Sequence, residues 1–559
     1  MSVDDAVPVI GPKVPAWRFH RWWLPLGELT IAVVAQGILW QVFAEDRTYS
    51  AMSVLFVWPA AIFGVFLWWL LLSRYRWRVR FGVLGLVAAV FGVLAGLFRI
   101  DDADGDMKPI VVWRWAPRAD VIAREYFARQ QEPGTQSADL SPASESAWEV
   151  TGSDWPGYRG PQRDGIVRHG SLRRNWGEEP PKELWRHPVG AGWSSFAVVA
   201  DRAFTQEQRD GEEVVVCYAI ETGEQVWVHR DEVRFDHAIP MGGPGPRATP
   251  QVDGTRLYTV GATGVLNCLE AQTGKPIWQR KILQDAGGDQ PAKNLEWGMS
   301  GSPLIAGELV IVNPGGTAGK SVAAYSKLTG EPVWQQGTHP AGYGSPRLET
   351  LHGVEQVLVF SGDGLGGHRL TDGQELWFVP WVNDPKVNAA QPIVLGDDSV
   401  VFGCGYGVGS ARVRLTPQDD GPWKTEQVWK TNRLKPKFND FVLKDGFLYG
   451  LDDGILTCVD VETGKPKWKK GRYNYGQLLL VDDVILVLSE QGDLALAPAT
   501  PAVSEELAFF KGALPEGTTW NHPVLHRGKL LVRNGREAAC FDVGEEKTTQ
   551  PGAEGGGGG

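Results

Sequence analysis

The 559 residues show no zinc-ligand spacing, no phosphate-binding loop ahead of a helix and no nucleophile elbow. The one glycine-rich match, GDGLGG at 362–367, lies between strand-like runs and opens no helix, so it reads as a hairpin turn. Positive charge is also scarce. The net charge is −11, and because residues 1–100 carry +4, the remainder carries about −15. An acidic body gives no electrostatic reason to expect nucleic acid, and none is expected as a partner. Cysteine is sparse, with five residues, none adjacent to another and none before Cys217. With 43% hydrophobic and 10% aromatic residues, a mainly disordered chain is excluded as well.

Long hydrophobic runs, by contrast, are present, and all lie in the first hundred residues. Three of them, at about 24–42, 51–72 and 81–100, have the length that crosses a hydrocarbon core of roughly 30 Å. Glu28 stands within two turns of the first run's start, where it can reach an interface, and Pro59 is a tolerable kink in a membrane helix. Arg74, Arg76, Arg78 and Arg80 fill the second loop, and Lys13, Arg18 and Arg21 precede the first run. The positive-inside rule therefore puts the N-terminus and second loop in the cytoplasm and everything after Ile100 outside it, in the periplasm of a two-membrane cell. Residues 1–100 are thus expected to be a multi-pass anchor in the plasma (inner) membrane. Residues 101–154 read as a linker holding a short helix at 121–130, and 544–559 as a disordered tail.

Glycine (69) and tryptophan (25) are abundant, and much of both belongs to a repeat. The heptads ETGEQVW (221–227), QTGKPIW (272–278), LTGEPVW (328–334), TDGQELW (371–377) and ETGKPKW (462–468) are variants of one pattern. Aromatic anchors stand at Trp185, Trp227, Trp278, Trp334, Trp377, Trp429 and Trp468, with Phe510 a weaker eighth. Each interval holds short β-type runs divided by Gly/Asp turns, the signature of a β-propeller. The Thr-Gly suits a tight hairpin, and the aromatic is expected to dock on the neighbouring unit. Inner strands beginning near Ser195, Thr249, Ser302, Ser345, Gln391, Asp440, Gln477 and Asn521 give eight blades over 183–543, with seven the nearest alternative. Pairing the early strand at 183–189 with the last unit closes the ring. The expected fold is therefore all-β: an eight-bladed β-propeller with tryptophan-docking repeats, preceded by three transmembrane α-helices. A lead-in, WPGYRGPQRDGI and its continuation (155–182), precedes the blades.

The form x-TG-xxx-W after a strand ending C-L-E-A or C-V-D-V resembles the docking repeat of pyrroloquinoline-quinone-type propellers. The resemblance covers about 183–543, and the lead-in resembles a segment that precedes such propellers in some bacterial proteins. Two branches matter: quinoprotein alcohol dehydrogenases, and a non-catalytic lipoprotein that helps assemble outer-membrane proteins. Dehydrogenase activity implies an oxygen cage for Ca²⁺, a carboxylate base, cations for the quinone carboxylates, an aromatic floor and a disulfide between adjacent cysteines. That adjacent pair is missing, although sugar-oxidising members dispense with it. Cys217, Cys268 and Cys458 each stand five residues before the Thr of a Thr-Gly turn, and Cys540 joins them, so they read as small buried hydrophobes. Without a cysteine near the N-terminus, the helices rather than a lipid are expected to anchor the chain.

Candidate site residues are those entering the inner strands: Trp193, Arg247, Trp297, Tyr343, Asn388, Asn439, Asp440, Asn474, Asn521 and His522. Asp236 and His237, in the insertion FDHAIPMGGPGPRATP (235–250), join them, and 283–302 is a second insertion expected to form a lip. The same Asn and Asp residues serve equally as ordinary loop starts. No catalytic or metal-ligating set is assigned. The leading expectation is a membrane-tethered binding or scaffold module for an unknown protein or small-molecule ligand, without cofactor or redox activity. The alternative is a dehydrogenase using pyrroloquinoline quinone (PQQ) and Ca²⁺ to oxidise an alcohol or sugar and pass electrons to membrane quinone. An outward sensor is a third reading, disfavoured by the small cytoplasmic portion.

Overall fold

The structure, a computed structural model, describes residues 23–44, 46–73, 75–130, 148, 150–236, 242–288, 295–316, 318–503 and 505–545. The chain divides into two units: Met1–Ile100 with Asp106–Trp115, and Asp101–Gly105 with Ala116–Gly559.

Long apolar runs produce α1 (Trp23–Val42), α2 (Arg47–Leu72, with Pro59 inside it) and α3 (Trp77–Leu97) in the first unit. All three are long and apolar enough to cross a membrane. Asp46 starts α2 earlier than the hydrophobic run alone suggests, because its carboxylate accepts from the amides of Thr48 (2.9 Å) and Tyr49 (3.1 Å). α3 begins at Trp77 instead of 81 and stops at Leu97, where the chain becomes extended. Arg80 explains the early start. Its guanidinium donates to the carbonyls of Leu70 (2.8 Å) and Tyr75 (3.0 Å) and lies 4.5 Å from the Trp77 ring, so it satisfies groups at the end of α2 from inside α3. Glu28 packs against the second helix. It abuts Gly64 of α2, where a Cβ would stand 1.5 Å from its Oε1. Of the orienting charges, Lys13, Arg18, Arg21 and Arg74 lie outside the described residues.

Eight sheets make the second unit, at 197–231, 251–281, 304–336, 347–380, 393–431, 441–472, 477–510 and 524–542. Each has four antiparallel strands, the sheet at 477–510 adding Ile166–Val167 as a fifth, parallel one, so consecutive sheets follow one another as blades. The eighth takes its outer strand from the start of the domain: Lys182–Pro188 pairs with Glu537–Asp542, Trp185 opposite Cys540. Two open edges vanish in that one pairing. The inner strands start within three residues of the expected positions.

The recurring heptad has a compact physical explanation. In seven blades a β-bulge follows the residue paired with the docking Trp, as at Cys268/Leu269 opposite Trp278. The bulge tips the indole toward the next blade. Six of the seven indoles donate there, to the carbonyls of Ile220, Ala271, Lys327, Leu370, Val461 and Thr500, at 2.7–3.1 Å. The glycine of that next blade's turn lies flat against the ring. At Gly274, φ is +71° and a Cβ would stand 2.4 Å from Trp227; at Gly330 the corresponding figures are +73° and 2.7 Å from Trp278. Glycine is thus required twice over, by its backbone and by its neighbour.

Trp377 departs from the pattern. Its partner across the strand pair is Gly367, which leaves the indole room to fold over its own sheet and donate to Gln356 Oε1 (2.7 Å). The fifth blade accordingly has no Thr-Gly turn to receive it. Phe510, without an indole nitrogen, packs edge-on against Phe541 of the eighth blade at 5.7 Å. The five cysteines are buried and free. Burial pushes the thiols of Cys404 and Cys458 up to about 11 and that of Cys540 to about 12.

The stretch expected as a linker holds more structure than its composition suggests. Phe98–Ala103 and Pro109–Trp113 pair as two strands, and α4 (Ala119–Gln130) packs on the propeller through Phe127, with the Arg209 guanidinium 4.1 Å from that ring. The helix stands where the sequence places it; the strand pair and the docking of the helix's narrow buried face were not expected. Residues 131–147 and 149, and most of the tail, 546–559, lie outside the described residues.

Candidate functional site: the propeller mouth

Two tiers of residues precede the inner strands. The first is a polar ring. Ser195 donates its amide to Thr249 Oγ1 (3.3 Å), Thr249 to Ser302 Oγ (2.8 Å) and Ser302 to Ser345 Oγ (2.9 Å). Gln391 continues the ring in both directions, through Nε2 to the Ser345 carbonyl (2.9 Å) and through its amide to Asp440 Oδ1 (2.5 Å). Gln477 Nε2 reaches the carbonyls of Phe438 and Trp520, Asn521 Nδ2 the carbonyl of Ser194 (2.8 Å), and Ser195 Oγ the carbonyl of His522 (2.6 Å). Hydrogen bonds of this kind tie each blade to the next where side chains are too short to pack.

Asp440 and His522 belong to this ring, and the lead-in segment binds them from within. Trp155 pairs with Val198 at the end of one inner strand, and Ile166 runs parallel to Leu480 in another. Between them Arg163 donates to the carbonyls of Ser302 and Pro303 (3.0 Å each). Arg159 pairs with Asp440 at 2.8 Å, Tyr158 donates to the same carboxylate at 2.7 Å, and His522 Nε2 lies 3.1 Å away. Burial would raise the Asp440 carboxyl, but Arg159, with His522 and the Gln391 amide, outweighs it and holds the group below the usual carboxylate range. Burial lowers His522 despite Asp440, so the imidazole is a neutral donor. Every strong acceptor position on Asp440 is therefore occupied by the protein itself.

The second tier stands two residues earlier in most blades, and it forms the mouth. The turn at Gly242 and Gly243 (φ +75° and +61°) gathers the residues expected there. Trp193 Nε1 donates to the Gly242 carbonyl (2.5 Å), and Arg247 donates to Gly242 (2.8 Å), Gly243 (2.7 Å) and Gly245. Trp297 borders Gly242, and its ring lies 5.9 Å from Tyr343. Burial lowers Arg247 to about 10 even though Tyr343, Asp102 and Glu213 favour its charge.

From Trp193 the aromatic arc continues through residues that sequence reasoning missed. Trp520 is 4.6 Å from Trp193 and 4.8 Å from Phe438, and Phe438 is 5.5 Å from Tyr475. Lys437 places its ammonium 4.6 Å from the Tyr475 ring and 5.0 Å from Tyr406. Glu490 Oε1 accepts from Trp520 Nε1 at 2.8 Å. The missed signal was the spacing: Trp193, Arg247, Tyr343, Phe438 and Tyr475 all stand two residues before a ring residue.

Other candidates do not join the mouth. Asp236 is exposed and pairs with Arg234, which also holds Asp120 of α4 at 3.0 Å. His237 lies outside the described residues, as do 289–294 of the second insertion. Asn388 donates to the carbonyls of Ser361 and Trp381, Asn439 accepts from the Lys437 amide, and Asn474 takes a left-handed φ of +50°. These three shape loops.

PQQ and Ca²⁺ make demands that this donor set meets only in part. Cations and rings are present, but Arg247 is spent on three main-chain carbonyls. Among the described residues no three His, Cys, Asp or Glu side chains are placed to hold a metal ion, whereas Ca²⁺ takes six to eight oxygens. The described residues therefore answer those demands only in part.

Fold and mouth together define the class: an eight-bladed propeller of PQQ-like repeats whose mouth is aromatic and cationic. Residues 211–470 match the family described as "Outer membrane protein assembly factor BamB". A relative of that name from Yersinia pestis is 27% identical over 305 residues, 51% of this chain and 70% of its own length. Among solved structures, BamB from Moraxella catarrhalis is similar at 16% identity and a TM-score of 0.46, over 65% of this chain and 99% of its own. A quinohemoprotein alcohol dehydrogenase from Pseudomonas putida HK5 is similar at 11% identity and a TM-score of 0.47, over 71% of this chain and 81% of its own.

Proposed function

We propose that this chain is a scaffold propeller that binds a polypeptide partner at its mouth, held in the plasma membrane by three helices with the propeller on the extracytoplasmic side, and without redox chemistry of its own. The observation that carries the reading is the mouth's composition. Trp, Tyr and Arg are the residue types that dominate protein–protein recognition, and here Trp193, Arg247, Trp297 and Tyr343 gather around one turn. The assembly-factor name of the Yersinia pestis relative supports a protein partner. The arginines from the end of α2 through the first turn of α3 support the orientation.

The test uses the full chain in detergent micelles, titrated with PQQ and Ca²⁺. Absorbance should show no stoichiometric uptake, and no artificial dye should be reduced when alcohols or sugars are added. Stoichiometric uptake with substrate-dependent dye reduction overturns the reading in favour of a dehydrogenase.

A further inference from the structure

The mouth is not empty of peptide. Residues Asp101–Gly105, DDADG, belong to the propeller unit although they stand far ahead of the first blade in the chain. Asp101 pairs with Arg536 of the eighth blade at 2.7 Å. The Asp102 carboxylate receives the Gly242 amide and lies near Arg247, against the same turn that bonds Trp193. Ala103 is buried. Gly105 is held at both ends of its peptide group: its amide donates to Glu490 Oε1 at 2.8 Å, and its carbonyl accepts from Lys437 Nζ. Nothing larger than glycine fits, since a Cβ would stand 2.0 Å from Tyr475 Cδ2 and 2.7 Å from Glu490 Oε1.

These contacts form a specification. Arg536 pairs with one acidic side chain, the Gly242 amide with Arg247 nearby receives a second, a carboxylate and an ammonium receive one peptide unit, and a ring closes over a position without a side chain. In a chain of net charge −11, a mouth carrying Arg247, Lys437 and Arg536 is a local exception to the prevailing sign. We propose that the mouth is a receptor for a short acidic turn ending in glycine, that Asp101–Gly105 is its built-in occupant, and that a partner protein carrying such a turn engages the mouth by displacing it. The inference rests on the scaffold reading and adds both the chemistry of the partner and a means of regulation. An internal occupant at high effective concentration suppresses casual ligands, so only a partner with further contacts, or one that first pulls the segment away, gains access.

The experiment uses the full chain in detergent micelles and a fluorescein-labelled peptide with the sequence of residues 98–108, followed by anisotropy. Wild type should show little binding, because the site is filled. Gly105→Val cannot seat its own segment yet leaves every receptor residue intact, so it should bind the peptide at least about tenfold more tightly than wild type. Asp101→Lys, which reverses the charge facing Arg536, should do the same and serves as the second vacating variant. Far-UV circular dichroism melts report that each variant is folded. The same peptide with its own glycine changed to valine should not bind, and binding should weaken with added salt. Equal binding by wild type and the folded variants, or none by either variant, overturns the proposal while leaving the scaffold reading standing. Uptake of PQQ and Ca²⁺ by the vacated variants overturns the scaffold reading instead.

Discussion

Alanine at Gly274 separates the two demands on the Thr-Gly turn. The first is backbone conformation: φ is +71°, and an L-residue held there costs about 1 kcal/mol relative to glycine. The second is the indole of the preceding blade. A Cβ at 274 would stand 2.4 Å from Trp227 Cε3, well inside normal contact, so the ring must move. Moving it weakens the 3.0 Å bond from Trp227 Nε1 to the Ala271 carbonyl, about 1 kcal/mol, and strains the packing by about 1–2 kcal/mol. Gly274→Ala should therefore cost about 3–4 kcal/mol in all. Gly254 is the control, because it has φ +55° and a Cβ added there would meet nothing within 4 Å. Gly254→Ala should cost only the backbone share of about 1 kcal/mol. In a Trp227→Ala background the cost of Gly274→Ala should fall to that same value, the coupling a double-mutant cycle isolates. Urea unfolding in micelles, followed by far-UV circular dichroism, reads every variant. Equal costs at 274 and 254, or a cost at 274 that survives removal of Trp227, would refute the docking argument.

Three further outcomes follow from the buried charges and thiols. Asp440→Asn strands the Arg159 guanidinium in the central channel and should destabilise by about 3–5 kcal/mol in the same urea assay. Because the folded Asp440 carboxyl lies below its unfolded value, its contribution is complete above pH about 4 and is lost as pH falls through the folded value, so acid unfolding should be shallower in the variant. Glu213 has the opposite sign: burial raises its carboxyl to about 8, with Oε1 taking the Ala262 amide and Oε2 without a partner. The unfolded chain loses this proton first, so stability falls as pH rises from about 4.5 toward 8, and Glu213→Gln should flatten that slope and stabilise at pH 7 by about 2–3 kcal/mol. Thermal midpoints across that range decide it, an unchanged slope counting against the buried carboxyl. Finally, iodoacetamide should label none of the five cysteines at about pH 8 until denaturant is added, and rapid labelling of the native chain would contradict their burial.

The blades were readable because a docking ring must recur wherever two sheets meet, and its heptad survives in linear order. What recurs less faithfully was read less well. Trp377 ends a variant heptad, with Asp372 in place of Thr, and the residue that redirects its indole, Gly367, acts across a strand pair. The polar ring was located to within a few residues, but Asp440, Asn521 and His522 look like free loop groups in the sequence because their partners lie in other blades or in the lead-in. Tyr158, 282 residues from Asp440, and its neighbour Arg159 saturate that carboxylate and share no periodicity with it. The helix near 121–130 was legible from its own residues; its docking through Phe127 under Arg209 was not. Lys437, Tyr475 and Trp520 become visible as a set only after the ring fixes the register of every blade. The acidic DDADG, at the head of the stretch read as a linker, gives no local sign that it seats among them.

The most direct measurement is solvent exchange of the tryptophan side chains, read as indole ¹⁵N–¹H signals of the full chain in micelles transferred to deuterated buffer. The account predicts slow exchange for Trp185, Trp227, Trp278, Trp334, Trp429 and Trp468, with Trp115, 70% exposed, exchanging at once. If the six indoles exchange as fast as Trp115, they are not wedged between sheets, and the structural reading of the repeat is contradicted.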